Sequence, residues 1–219
     1  MATGIAVPAA ANDMKLLVAT RNPYKLKEIR EIISRPSLEL VSVAEFGPLP
    51  EVVEDGATFE ANALKKAIML SLAAKVWTLA DDSGLEVPAL GGAPGVRSAR
   101  YAGEPVDYGA NNAKLLRELA GAADRRACFR CSIALASPHG RAQVVEGRCD
   151  GRIALELRGD RGFGYDPVFI PDGYERTFAE MDPETKNDIS HRAVALRKAA
   201  ETWGEVLRLS PSDWPMRRG

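Results

Sequence analysis

The sequence predicts an α/β domain around a central mixed β-sheet with flanking helices, and three features lead there. Apolar strand-like runs and amphipathic helical runs alternate through the first half of the 219 residues. The second half instead pairs two apolar runs locally, residues 127–136 and 142–149, across the turn Ser137-Pro138-His139-Gly140. The stretch from Leu16 to Glu28, LLVATRNPYKLKE, changes from strand to charged helix at Asn22-Pro23. Pro23 suits a first helical position, and it holds Asn22 in the extended region where a helix cap sits.

Taken in order, residues 16–19 read as a buried strand, and 23 to about 34 as a helix with Leu26, Ile29, Ile32 and Ile33 inward. A second strand covers 38–43. A Pro- and Gly-bearing loop over 46–56 leads to an alanine-rich helix from about 58 to 75. The short apolar run 78–80 is expected to end at Asp81-Asp82-Ser83-Gly84. Gly91-Gly92-Ala93-Pro94-Gly95 opens an irregular connection that matches neither a Walker loop nor a dinucleotide fingerprint. A helix follows from 107 to about 120, then the hairpin, then a glycine-rich loop over 159–165. Ser190 is placed as the cap of a last helix reaching Leu207. Residues 14–208 make one domain. Residues 1–13 are expected to be a disordered leader, with Met14 as an alternative start, and 209–219 a tail.

Composition excludes several classes. A net charge of -1, a pI near 6.2 and no long basic stripe argue against nucleic acid as the main partner. No run approaches the apolar length of a membrane span, and the leader lacks the Lys or Arg that begins a signal peptide. Three cysteines without a secretory signal imply reduced thiols in the cytoplasm. Cys128-Phe-Arg-Cys131 has half a zinc spacing, but no second CxxC follows. On a strand, these two sulfurs would face opposite sides.

The first helix carries the clearest chemical signal. Its first N–H groups have no internal partner, and Lys25 and Lys27 precede Glu28 and Glu31. That order opposes the helix dipole, and a bound phosphate would remove the conflict. On this account, truncating Lys25 should leave the free protein intact or slightly more stable. Asp81-Asp82 is the next candidate, at a strand end where ligands gather in open α/β sheets; one of the two should face the pocket. Glu51, Glu54 and Asp55 form a second acidic group. Two acids from separate segments beside a phosphate pocket suit magnesium and a nucleotide or phosphoester. Phe163-Gly164-Tyr165-Asp166, with Lys186 and Ser190-His191-Arg192, offers rings and hydrogen-bonding groups for reading a base.

Six segments then occur in a telling order: Thr20-Arg21-Asn22-Pro23-Tyr24-Lys25, Thr58-Phe59 with Asn62-Ala63, Ala80-Asp81-Asp82-Ser83-Gly84-Leu85, Gly95-Val96-Arg97-Ser98-Ala99-Arg100-Tyr101-Ala102-Gly103, Gly162-Phe163-Gly164-Tyr165-Asp166-Pro167 and Ile189-Ser190-His191-Arg192-Ala193. In these the chain resembles the noncanonical purine NTP pyrophosphatase family, which hydrolyses inosine and xanthosine triphosphates, from about Lys15 to Leu207. The resemblance implies an elongated, two-lobed α/β fold with a central cleft, a homodimer, and release of monophosphate and pyrophosphate. It implies that Thr20, Arg21, Asn22, Pro23, Tyr24 and Lys25 form the phosphate loop, with Lys66 and Ser83 added. It gives Mg2+ to Glu54 and Asp82, and makes Asp82 rather than Asp81 the residue that orients water. Phe163, Gly164, Tyr165, Asp166, Lys186, His191 and Arg192 would enclose the base. A related pyrophosphatase for other modified nucleotides, or an inactive nucleotide-binding regulator, are the alternatives. Two departures stand out: Arg21 replaces a residue that is often small, and Ala61 replaces a common Glu, leaving Glu60 as the neighbouring acid.

Overall fold

The computed structural model describes residues 14–33 and 38–207; the expected leader and tail lie outside them. Strand β1 (Met14–Val18) runs parallel to β2 (Leu38–Ser42) on one side and to β3 (Trp77–Glu86) on the other. From β3 onward the pairing is antiparallel, through β4 (Arg126–Ala136) and β5 (Ala142–Ile153) to the short β6 (Phe169–Pro171). The result is one mixed six-stranded sheet of order β2-β1-β3-β4-β5-β6. Among the described residues six α-helices flank it: α1 (Pro23–Ile33), α2 (Val43–Phe46), α3 (Phe59–Ala74), α4 (Tyr108–Glu118), α5 (Pro183–Ile189) and α6 (His191–Leu207).

Three buried clusters divide the molecule. Ile29, Ile32 and Ile33 of α1 pack with Leu196, Ala199 and Trp203 of α6 over one face of the sheet. Ala63, Ala67 and Leu70 of α3 cover the other face against Leu17 and Ala80. A separate lobe gathers Leu85, Leu115, Leu119, Phe129, Phe169 and Phe178 around the far ends of β3 and β4. The long strands β3 and β4 contribute to the clusters of both lobes, so the sheet itself links them.

One expectation fails here. Asp81-Asp82-Ser83-Gly84 does not end a strand but lies in the middle of β3, whose residues pair with β4 from Thr78↔Ala136 to Glu86↔Cys128. Long-range pairing overrides the turn-like look of Asp-Asp-Ser-Gly. Gly84 belongs there for another reason: a Cβ would collide with Ser98 Oγ, the Gly95 carbonyl and the Phe59 ring. Facing is as expected for neighbours on a strand. Asp82 lines the cleft between the lobes and Asp81 does not. Cys131 is in the core while Cys128 is half exposed, and all three cysteines are free. No described helix is long and apolar enough to cross a membrane.

Candidate active site

A cleft of about 340 Å3 opens between the lobes, within the range of small-molecule sites. Its first wall comes from the β1–α1 joint. Asn22 Oδ1 accepts the N–H groups of Tyr24 at 2.9 Å and Lys25 at 3.3 Å, and so caps α1 as the sequence predicts. Thr20 Oγ1 in turn accepts the Asn22 N–H at 3.1 Å. Thr20, Arg21, Asn22 and Lys25 line the cleft; Pro23 and Tyr24 do not. Lys25 Nζ reaches over to Asp81, 3.1 Å away. Burial works against the Lys25 charge, but Asp81 and Asp82 together outweigh it and hold the pKa above the ordinary lysine value.

The middle of the cleft holds the acids. Asp82 Oδ2 accepts from Asn62 Nδ2 at 2.9 Å, and Oδ1 from the Ser83 N–H at 2.9 Å. Glu54 pairs with Lys66 Nζ at 2.9 Å, and that ammonium also donates to the Asp81 carbonyl at 2.5 Å. The loop bearing Glu54 has no regular structure. It is tied down by Arg100, which donates to the Glu54 carbonyl at 3.2 Å, and by the Gly56 N–H, which donates to Asn62 at 2.7 Å. Burial, reinforced by the Glu54 charge, pushes the Asp82 carboxyl above its ordinary pKa despite Lys25 and Lys66. Asp81 behaves oppositely. Its burial is more than offset by Lys25 and Arg192, which hold it well below the usual carboxylate range. Glu60 and Ala61 are exposed, and neither lines the cleft, so Glu60 does not supply the acid missing at position 61.

The far end is built from the 162–166 turn and the start of α6. Gly162 has φ +72°, and a Cβ there would run into the Asp166 carboxylate. That carboxylate accepts the Phe163 N–H at 2.8 Å and Lys186 Nζ at 2.7 Å. Asn112 on α4 holds the Gly164 carbonyl at 2.8 Å, and Tyr165 Oη donates to the Ser98 carbonyl at 2.9 Å. His191 is buried and stacks on Phe129, centroids 4.6 Å apart. Burial and the neighbouring Arg192 and Lys186 charges depress its pKa well below 6.5, so its ring is neutral. Its Nδ1 is one of the few buried polar atoms among the described residues with no partner.

The sequence gives no hint of the residue that joins the two ends. Glu28 on α1 accepts from Lys186 Nζ at 2.7 Å and pairs with Arg192, which also reaches Asp81 at 3.2 Å and Ser83 Oγ at 2.9 Å. Opposite charges therefore alternate from Asp166 through Lys186, Glu28, Arg192 and Asp81 to Lys25. Burial costs Glu28, but Arg192 and Lys186 more than compensate and lower its pKa. Its partners lie 158 and 164 residues away, beyond any local signal. Arg100, Tyr108 and Asn112 were likewise invisible as site residues, although Arg100 stands within one of the six segments.

A cleft with a helix-capped anion cradle at one end, two carboxylates midway and a ring-walled pocket at the other belongs to an α/β protein that handles nucleotides. Comparison narrows the class. The chain belongs to the Ham1 family, whose sequence profile matches residues 16–202. It is 54% identical over 190 residues to the dITP/XTP pyrophosphatase of Desulforamulus reducens, covering 86% of this chain and 94% of that one. The dITP/XTP pyrophosphatase of Bacillus subtilis is 47% identical, with 84% and 94% covered. Among solved structures, the Staphylococcus aureus Ham1 protein superposes with a TM-score of 0.79 at 40% identity, covering 87% of this chain and 99% of that one. The Mycobacterium abscessus nucleoside-triphosphatase, a dITP/XTP pyrophosphatase, gives 0.71 at 46% identity, with 85% and 98% covered.

Proposed function

We propose that this chain hydrolyses the triphosphates of deaminated purines (dITP, ITP and XTP) to the monophosphate and pyrophosphate, clearing them from the nucleotide pool. The observation that carries this reading is the convergence of the α1 cradle, the Glu54–Lys66–Asp82 group and the Phe163 turn on one cleft. Relatives named for that activity, about half identical over most of the chain, support it.

The triphosphate lies at the positive N-terminal end of the α1 dipole, with Thr20, Arg21, Asn22 and Lys25 meeting its oxygens. Asp82 orients a water for attack at the α-phosphorus; the bond to the bridging oxygen breaks, and pyrophosphate leaves. Lys25 and Lys66 balance the leaving charge, and Ser83 adds a hydrogen bond. Positioning and electrostatics suffice, with no covalent nucleophile. Glu54 and Asp82 fit Mg2+: two carboxylates with phosphate oxygens and water make its preferred set, and a divalent cation would offset the burial and the Glu54 charge that raise the Asp82 pKa. When bound there, the ion supplies charge neutralisation and polarises phosphoryl oxygens.

The purine stacks on Phe163 in the turn of Gly164, Tyr165 and Asp166. Lys186 and Arg192, fixed by Glu28, and the unpartnered His191 Nδ1 read its edge. Residues 14–208 form the catalytic domain, which works as a homodimer in the cytoplasm, a setting that suits three free thiols. The test is kcat/KM for dITP, XTP, dGTP and dATP. Deaminated purines should exceed dATP and dGTP by well over about tenfold, because a site built on hydrogen bonds rejects mismatched edges strongly. Ratios within about tenfold would leave a general nucleotide pyrophosphatase instead.

A further inference from the structure

Tyr24 belongs to the phosphate loop in sequence, yet its ring does not line the cleft. It is 48% exposed and lies flat on Phe163, with centroids 5.2 Å apart and planes 11° from parallel. Phe163 does line the cleft, and Lys186 Nζ and Arg192 Cζ lie 5.3 and 5.9 Å from its centroid. Tyr24 therefore covers that ring from outside the cleft. Hydrogen bonds fix the backbone of the turn, from the Phe163 N–H to Asp166 and from Asn112 to the Gly164 carbonyl. The tilt of the ring is left to its aromatic neighbours, Tyr24 and Tyr108, the latter tilted by 56° with its centroid at 6.0 Å.

We propose that Tyr24 is a positioning residue for the purine base: its ring backs Phe163 and ties the base platform to the helical turn that caps the phosphate cradle. The proposal rests on Phe163 being that platform, as in the function given above. The coupling is short. Asn22 Oδ1 holds the N–H groups of both Tyr24 and Lys25, at 2.9 and 3.3 Å, so the cradle and the ring that backs the platform share one cap. Base and triphosphate are then held at a fixed spacing by a contact that touches neither.

The experiment measures kcat and KM for dITP in wild type, Tyr24→Ala, Tyr24→Phe, Phe163→Ala and the double Ala variant, with inhibition by inorganic tripolyphosphate, which has no base. Tyr24→Ala should raise KM by about two- to tenfold, the range of a stacked aromatic pair, with kcat within about twofold. Tyr24→Phe should match wild type, and tripolyphosphate should inhibit Tyr24→Ala as it inhibits wild type. In the Phe163→Ala background, Tyr24→Ala should add nothing. An unchanged or lower KM in Tyr24→Ala overturns the proposal, as does an equal loss of tripolyphosphate inhibition, which would assign Tyr24 to the cradle. A Phe163→Ala variant with unchanged KM would refute the platform itself, and the proposal with it.

Discussion

Adjacent acids with opposite environments should fail in opposite ways. The Asp81 side chain is 1% exposed and holds Lys25 at 3.1 Å and Arg192 at 3.2 Å. Asp81→Asn keeps the shape but removes the charge. Arg192 retains Glu28, whereas Lys25, its side chain only 16% exposed, is left with no ion-pair partner within 4 Å among the described residues. Breaking a buried pair from one side costs about 3–5 kcal/mol. At roughly 2–4 °C per kcal/mol for a chain of this size, Tm should drop by about 6–20 °C. Asp82 makes no such pair. Its two hydrogen bonds, from Asn62 and the Ser83 N–H, can be kept in part by an amide oxygen, and losing its charge relieves repulsion from Glu54. Asp82→Asn should therefore stay within about 1 kcal/mol of wild type while losing about 10²–10⁴ in turnover. Thermal melts monitored by circular dichroism, beside a pyrophosphate-release assay, separate the two. Equal melting losses, or an Asp81→Asn protein as stable as wild type, would refute the reasoning.

Two further outcomes follow from the same charges. Lys25→Ala, expected from the helix dipole alone to be harmless to the free protein, should instead lower Tm, because it strips a partner from buried Asp81; urea midpoints read this directly, and an unchanged midpoint would restore the dipole account. His191, neutral through burial beside Arg192 and Lys186, should show no titration of its ring protons by NMR between pH 6 and 8. The unfolded chain takes up that proton below about pH 6.5, so the His191 contribution to stability is present above that pH and declines as pH falls.

What the sequence revealed and what it concealed divide along contact distance. The Asn22 cap, the inward face of α1 and the β4–β5 hairpin rest on neighbours a few residues apart, and the local pattern shows them. The length of β3 depends on pairing Leu85 with Phe129 and Glu86 with Cys128, so Asp-Asp-Ser-Gly passed for a turn. Helix α5 was missed because it is a seven-residue polar segment, PETKNDI, with no apolar period to betray it. The acids of the proposed site were legible as candidates, but strand geometry left open which faced the cleft. Glu28 was read as half of a dipole conflict, and its bridge to Lys186 and Arg192 emerges only when α1 and α6 pack together.

The central claim is cleavage between the α- and β-phosphates in a cleft that grips both base and triphosphate. Phosphorus NMR of a dITP reaction with magnesium, run to partial conversion, tests it most directly. The account predicts dIMP and pyrophosphate in equal amounts from the first time point, with no dIDP. Appearance of dIDP with inorganic phosphate as the first products would contradict it.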